Sequence, residues 1–381
     1  MELVFWLSCA FVVYVYAAYP LLLAVWARVR PRPVVANGGA PPAISIVIAA
    51  RNEAARLPVR LDNLLQIPYA AARHIIVVSD GSTDDTRQVI RRYPIVNFVD
   101  LPPVGKATAL NAGVERARHE VLVFADARQT FAADALTELT APFADPHVGA
   151  VTGELVPDCE RDDQRCAADR RSLGNGGYCG EERRSGGDRR SIVSTIADGI
   201  GLYWKYEKAL RRLESATGST LGATGAIYAM RRACWRPLPP GTILDDVLAP
   251  MRCVLSGSRI VFNDRALAAD RDAADADAEA RRKSRTVAGN WQLLALEPRL
   301  LLPWRNPVWL QYVSHKVGRL LVPFALLAMI VASIVVAESS PLYGAALAVQ
   351  CALYLLAGYG AWLDVRGRMA AASRRSEALH A

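Results

Sequence analysis

Charge is missing from three long stretches of this chain, and that absence sets its class. Residues 3–27 run for 25 positions without Asp, Glu, Lys or Arg, residues 320–337 for 18 and residues 339–363 for 25. A helix of about 20 residues, rising ~1.5 Å per residue, crosses a hydrocarbon core of ~30 Å, so each run is read as a membrane span. No basic segment precedes the first run, which also outlasts the ~7–15 apolar residues of a cleaved signal peptide, so a retained anchor is expected. The second and third runs lack the polar face of a soluble helix pair, and only Glu338 and Ser-Ser-Pro separate them; a membrane hairpin is expected.

Paired cysteine spacing is missing too. The seven cysteines contain no C-x-x-C. Cys9 and Cys351 fall within the spans, and Cys159, Cys166 and Cys179 have no nearby His to complete a zinc site, so free thiols in a reducing cytosol are expected. No basic motif interleaved with aromatic residues is present, which argues against nucleic acid as a partner despite the formal net charge of +8. The basic residues gather instead beside the apolar runs, as Arg28, Arg30 and Arg32, as Lys316 and Arg319, and as Arg366, Arg368, Arg374 and Arg375. By the positive-inside rule residues 28–318 face the cytosol, with the amino terminus and the Glu338 turn outside, and the same clusters favour anionic headgroups of the lipid bilayer.

What is present divides the chain into a first span (1–27), a Pro/Gly linker (28–42), a cytosolic domain (43–270), an amphipathic interfacial region (271–318), a transmembrane hairpin (319–363) and a basic tail (364–381). Within the domain, the short β-branched apolar runs at 44–49, 74–79, 95–99 and 120–125 read as buried strands. They alternate with helical patterns beginning near Glu53, Thr83, Gly105 and Phe131. This alternation predicts an α/β fold with a mostly parallel sheet, whose ligand site lies beyond the carboxyl ends of the strands. Residues 156–191 break the pattern. They are polar and rich in Arg and Gly, with Arg-Arg-Ser at 170–172, 183–185 and 189–191, and read as a solvated insertion. Order resumes with a helix over 196–215, a strand over 222–230, then an acidic pair, helix, Gly turn and strand over 243–262.

Polar residues cluster where the strands end. Asn52-Glu53 follows the first strand, Asp80-Gly81-Ser82 the second and Asp126-Ala127-Arg128 the fourth. The ordered set SIVIAARNE, VVSDGSTDDT, GKATALNAG, FADAR, GATGAIYAM and ILDD resembles the membrane-bound, inverting family 2 glycosyltransferases, the group of cellulose-, chitin- and hyaluronan-synthase-like enzymes. The resemblance spans nearly the whole chain apart from residues 156–191. It implies a GT-A, nucleotide-diphospho-sugar transferase fold flanked by three transmembrane helices.

By this resemblance Asp80 meets the nucleotide base, where a carboxylate accepts the N3–H of uracil and so favours a UDP-sugar, with GDP still open. Glu53 lies near the nucleoside or serves only as a first-turn helix acid. Lys106 meets the donor phosphate or sugar. Asp246 is the general base for the acceptor hydroxyl, and Asp245 replaces the family's Glu in orienting the acceptor. The family's Asp-x-Asp, which helps hold Mg²⁺ or Mn²⁺, is here Asp126-Ala127-Arg128. Either Asp126 with the diphosphate oxygens keeps the metal, or the Arg128 fork takes its place. The Q-x-x-R-W motif of long-polymer synthases is absent, its nearest counterpart being 281–286 with Arg282 and Arg285 as diphosphate contacts. The expectation is transfer of one sugar to a lipid-linked or polysaccharide acceptor in envelope polysaccharide assembly. The rivals are a processive synthase and a catalytically silent nucleotide-binding subunit.

Overall fold

The computed structural model describes residues 1–35, 39–157, 190–270 and 276–380. The chain forms two compact units, Met1–Tyr19 with Val317–Ala381, and Pro20–Lys316.

In the larger unit eight strands of the described residues make one sheet: β1 (Ile44–Ala50), β2 (Arg73–Asp80), β3 (Asn97–Leu101), β4 (Val121–Ala125), β5 (Thr130–Phe131), β6 (Val148–Pro157), β7 (Ile227–Arg231) and β8 (Arg259–Asp270). Their order is β3-β2-β1-β4-β7-β6-β8-β5. β1, β2, β3 and β4 run parallel, β6 pairs in parallel with β8, and β7 and β5 are antiparallel to their neighbours. The apolar runs form the central strands because both of their faces are covered: Ile44, Ile46, Val47, Ile48, Ile76, Val77, Leu122 and Val123 have no exposed surface.

The helices begin later than the sequence pattern suggests. α1 is Leu57–Gln66, α2 Thr86–Arg91, α3 Lys106–Glu115 and α4 Ala135–Thr140. Phe131 opens no helix. It lies in β5, where Asn63 acts as a surrogate strand neighbour, its Oδ1 accepting the Phe131 N–H at 2.8 Å and its Nδ2 donating to the Phe131 carbonyl at 3.0 Å. α3 lies flat on the sheet because Gly113 has no side chain; a Cβ there would come within 2.5 Å of Val47 Cγ1.

Val156 and Pro157 belong to β6, and Arg190 and Ser191 open α5 (Arg190–Thr217), so they are not part of an irregular insertion. The rest of that segment, with its Arg-Arg-Ser repeats and Cys159, Cys166 and Cys179, lies outside the described residues. The strand expected over 222–230 is confined to β7; residues 222–226 form a loop. Then come α6 (Asp245–Leu255), β8 and α7 (Ala276–Leu296).

Among the described residues three helices are long and apolar enough to cross a membrane: Glu2–Val29, Trp309–Val336 and Pro341–Gly360. The second starts eleven residues before the charge-free run, because helical hydrogen bonding continues through His315, Lys316 and Arg319. Within the smaller unit Phe5, Ala332, Val336 and Tyr343 bury one another, and Trp6 Nε1 donates to the Tyr343 hydroxyl at 3.3 Å.

Candidate active site

Parallel strands release their polar ends at one rim, and side chains there tie the exit loops together. Asn52 has φ +55°, a left-handed conformation that a short polar side chain tolerates. Its N–H donates to Ser82 Oγ at 3.1 Å, and its Oδ1 accepts the Thr83 N–H at 2.8 Å. The Glu53 N–H donates to Thr86 Oγ1 at 3.1 Å and the Ala54 N–H to Asp84 Oδ2 at 3.0 Å. Burial opposes ionisation of Asp84, yet the hydrogen bonds from Thr86 and Ala54 hold its carboxyl below the usual range. Most of DGSTDDT is therefore loop scaffold. Asp80 contributes as well, its Oδ1 accepting the N–H groups of Val104 and Gly105 at 2.7 and 2.8 Å and so fixing the start of α3.

Lys106, the first residue of α3, reaches the end of β4 and the start of α6. Its Nζ lies 3.3 Å from Asp126 Oδ1 and 3.5 Å from Asp245 Oδ2. Asp245 and Asp246 sit in the first turn of α6, where the positive end of the helix dipole favours acids. Asp246 is drawn to the loop before β7: its Oδ2 accepts the Gly225 N–H at 3.1 Å and its carbonyl accepts the Ala223 N–H at 2.8 Å. A Cβ on Gly225 would lie 2.9 Å from Asp246 Oδ2, so a side chain there would displace that carboxylate oxygen.

These neighbours set the charges. Burial, then the adjacent Asp245, pushes the Asp246 carboxyl up to about 6, while Lys106 and Lys316 pull the other way. Burial alone would lower Lys106, but Asp245, Asp126 and Asp246 outweigh it and hold the ammonium protonated. A carboxyl poised near neutrality beside a fixed cation can accept a proton from an alcohol while the cation steadies an anion.

Asp126, Lys106, Asp245 and Asp246 are thus brought together. Glu53 stays on the β1 exit loop, paired with Arg56 Nη1 at 3.2 Å, and has no part in the Lys106 cluster. Arg128 is exposed two residues beyond Asp126. Arg282 and Arg285 are exposed on α7, whose contact with the site is made further along by Gln292. Gln292 Oε1 accepts the Ile243 N–H and its Nε2 donates to the Gly241 carbonyl, each at 2.9 Å, which braces the loop leading into Asp245. Among the described residues no three His, Cys, Asp or Glu side chains form a ready metal cage.

Sequence reading missed three participants. Tyr228 in β7 stacks on Phe124 with ring centroids 4.6 Å apart, and its buried hydroxyl has no hydrogen-bond partner. Burial, then Asp245, Asp246 and Asp126, raises its pKa. In a strand it reads as ordinary core. Arg60 is buried with its Cζ 3.9 Å from the Phe131 ring centroid. Burial pushes it down to about 9 and the charge of Asp126 opposes the fall. Its signal was available: an arginine shares the apolar face of α1 with Leu57, Leu61 and Leu64. Lys316 left no such signal, because it reads as an orienting charge beside a span.

Residues 45–199 match the model of glycosyl transferase family 2. Over 115 residues the chain is 36% identical to the poly-β-1,6-N-acetyl-D-glucosamine synthase of Staphylococcus aureus (strain COL) and 35% identical to that of Staphylococcus epidermidis. Each match takes in 29% of this chain and 28% of the relative's length. The mannosyltransferase PcManGT from Pyrobaculum calidifontis, solved with GDP-Man and Mn²⁺, superposes with a TM-score of 0.66 at 21% identity, covering 94% of both chains, and so shares the fold. Residues 45–199 thus form a glycosyl transferase family 2 domain.

Proposed function

We propose that the protein is a membrane-anchored inverting glycosyltransferase that moves one sugar from a nucleotide-diphosphate sugar, a UDP-sugar, to a lipid-linked or polysaccharide acceptor in exopolysaccharide or envelope assembly. The observation that carries this reading is the convergence of Lys106, Asp126, Asp245 and Asp246 at one rim. Asp246 takes the proton of the acceptor hydroxyl as that oxygen attacks the anomeric carbon. The bond to the diphosphate breaks on the opposite face, and a single displacement inverts the centre. Asp245, held against Lys106, orients the base; Lys106 lies ready for the departing diphosphate.

Carboxylate oxygens suit a hard divalent cation, and the ammonium of Lys106, held between Asp126 and Asp245, already stands where positive charge is wanted. We assign Mg²⁺ or Mn²⁺ to Asp126 and the donor's own oxygens, where the ion would supply Lewis-acid stabilisation to the leaving group. Arg128 adds a further cation on the same loop. Asp80 keeps its second carboxylate oxygen for the base, with Glu53 nearby, and Arg282 and Arg285 extend the basic surface of α7. The basic clusters favour a cytosolic catalytic unit with the amino terminus outside.

The test is nucleotide release from a panel of UDP- and GDP-sugars with purified protein, with and without Mn²⁺. Turnover of a UDP-sugar that Asp246→Asn abolishes supports the reading; identical release by wild type and variant defeats it. The identity with poly-β-1,6-N-acetyl-D-glucosamine synthases favours a second reading, a processive synthase. Product length separates the two, since a ladder of polymer means repeated addition and a single added sugar means one transfer.

A further inference from the structure

Away from the Lys106 cluster, the far end of α6 borders a cleft of about 450 Å³ lined by Arg236, Arg252, Leu255, Ser256 and Arg299. Three guanidinium groups thus face one opening, and their planar forks are suited to a phosphate or carboxylate. Among the described residues one carboxylate is paired with them: Glu297 is buried and accepts Arg252 Nε at 3.0 Å on Oε2 and Arg299 Nε at 2.6 Å on Oε1. Despite its burial, these two bonds hold the Glu297 carboxyl below its ordinary range, so it stays ionised and offsets only one of three positive charges.

The remaining bonds fix the arginines without neutralising them. Arg252 Nη1 donates to the Pro237 carbonyl at 3.1 Å, and Arg236 Nη1 donates to the carbonyls of Ala233 and Trp235 at 3.2 and 3.1 Å. Backbone carbonyls and a shared carboxylate thus hold three planar forks around one space, while the other donors of the same groups remain for a ligand. The C-terminal end of α6 would by itself disfavour an anion. An excess of arginine there is the arrangement that reverses that preference. The volume falls within the ~300–1,000 Å³ of small-ligand sites and admits a phosphate group with its substituent.

We propose that this cleft is a binding site for a phosphate-bearing anion, separate from the transfer site. Planar forks match phosphate oxygens bidentately, and the Ser256 hydroxyl, which donates to the Arg252 carbonyl at 2.9 Å, closes the end of α6 beside them. Two sources share this chemistry. One is a soluble phosphate compound. The other is the headgroup of an anionic lipid, to which the exposed Leu301 and Trp304, just beyond Arg299 and before the apolar helix Trp309–Val336, give access by sequence. Arg252 stands in the last turn of the helix whose first turn carries Asp245 and Asp246, so an occupant would also steady the catalytic helix.

The experiment uses the full chain in two arms, comparing wild type with the double variant Arg236→Gln, Arg299→Gln, which leaves every residue of the Lys106 cluster in place. In the first arm inorganic phosphate is titrated calorimetrically at constant ionic strength. In the second the protein is placed in nanodiscs of phosphatidylcholine with or without phosphatidylglycerol, and retained lipid is read by native mass spectrometry. Phosphate binding weakened about tenfold or more in the variant assigns a soluble ligand, and phosphatidylglycerol retained by wild type and lost by the variant assigns the headgroup. Wild type and variant alike in both arms, or no binding by wild type in either, overturns the proposal. A Ser256→Glu variant, which puts an acid into the cleft with all three arginines intact, must show the same loss; binding equal to wild type overturns it independently of any folding defect in the double variant. Neither arm measures sugar transfer, so the outcome is separable from that of the proposed function.

Discussion

Asp246 combines a cost to folding with the base role proposed for it. Its carboxyl is pushed up to about 6 in the folded protein against an ordinary 3.8, so the folded state binds its proton more tightly than the unfolded chain does. Stability from this residue is therefore greatest at low pH and is lost as pH rises through that window. Asp246→Asn should raise stability at pH 7 by about 1–3 kcal/mol, with the gain shrinking as pH falls towards 4; thermal unfolding of the solubilised protein measures it. The same change should lower turnover by about 10²–10⁴-fold. In the wild type kcat/KM should decline as pH drops through about 6, because the base is then protonated. Lys106 makes a second, opposite case. Its ammonium neutralises Asp126 and Asp245 before any donor arrives, so Lys106→Met should tighten donor-free Mn²⁺ binding while lowering turnover, read by calorimetry and by nucleotide release.

Among the elements, α6 and the loop before β7 act as one part. Gly225 sits where any side chain would press on Asp246 Oδ2, 2.9 Å from a Cβ. Gly225→Ala should leave the unfolding midpoint nearly unchanged and cut turnover strongly, since the displaced atom belongs to the proposed base and not to the core. Gly113→Ala should do the reverse in kind. Its Cβ would meet Val47 Cγ1 at 2.5 Å and lift α3 from the sheet, at about 1–3 kcal/mol of stability. Comparing the two variants by unfolding and by KM against kcat separates a helix that must lie flat from a loop that must stay open. Gln292 links α7 to the same loop, so an amide of α7 braces the segment leading into Asp245 and Asp246.

For the molecule as a whole, three apolar helices predict extraction by detergent but not by alkaline carbonate. The proposed orientation predicts more. A cysteine introduced at Ser340, in the turn between the second and third spans, should react with an impermeant maleimide on intact cells in a background lacking Cys9, Cys159, Cys166, Cys179 and Cys351, whereas one at Arg30 should react only after lysis. Equal labelling at both positions would refute the inside placement of the basic clusters.

The linear order of residues determined what depends on local composition and period. Charge-free runs gave the spans, β-branched runs gave β1, β2 and β4, and an acid after each strand pointed to the rim, because burial and strand exit leave their marks within a few neighbouring positions. Helix starts were read too early, since the amides of Asn52, Glu53 and Ala54 are satisfied by side chains some thirty residues away and not by helical bonds. Only the folded chain decided that DGSTDDT chiefly braces loops, that Lys106 joins Asp126 to Asp245, that Tyr228 and Arg60 stand by the acids, and that three arginines surround one cleft. Each of those facts is a distance between residues far apart in sequence, and burial, Coulomb interaction and hydrogen bonding act across that distance, which only the packed sheet and helices set.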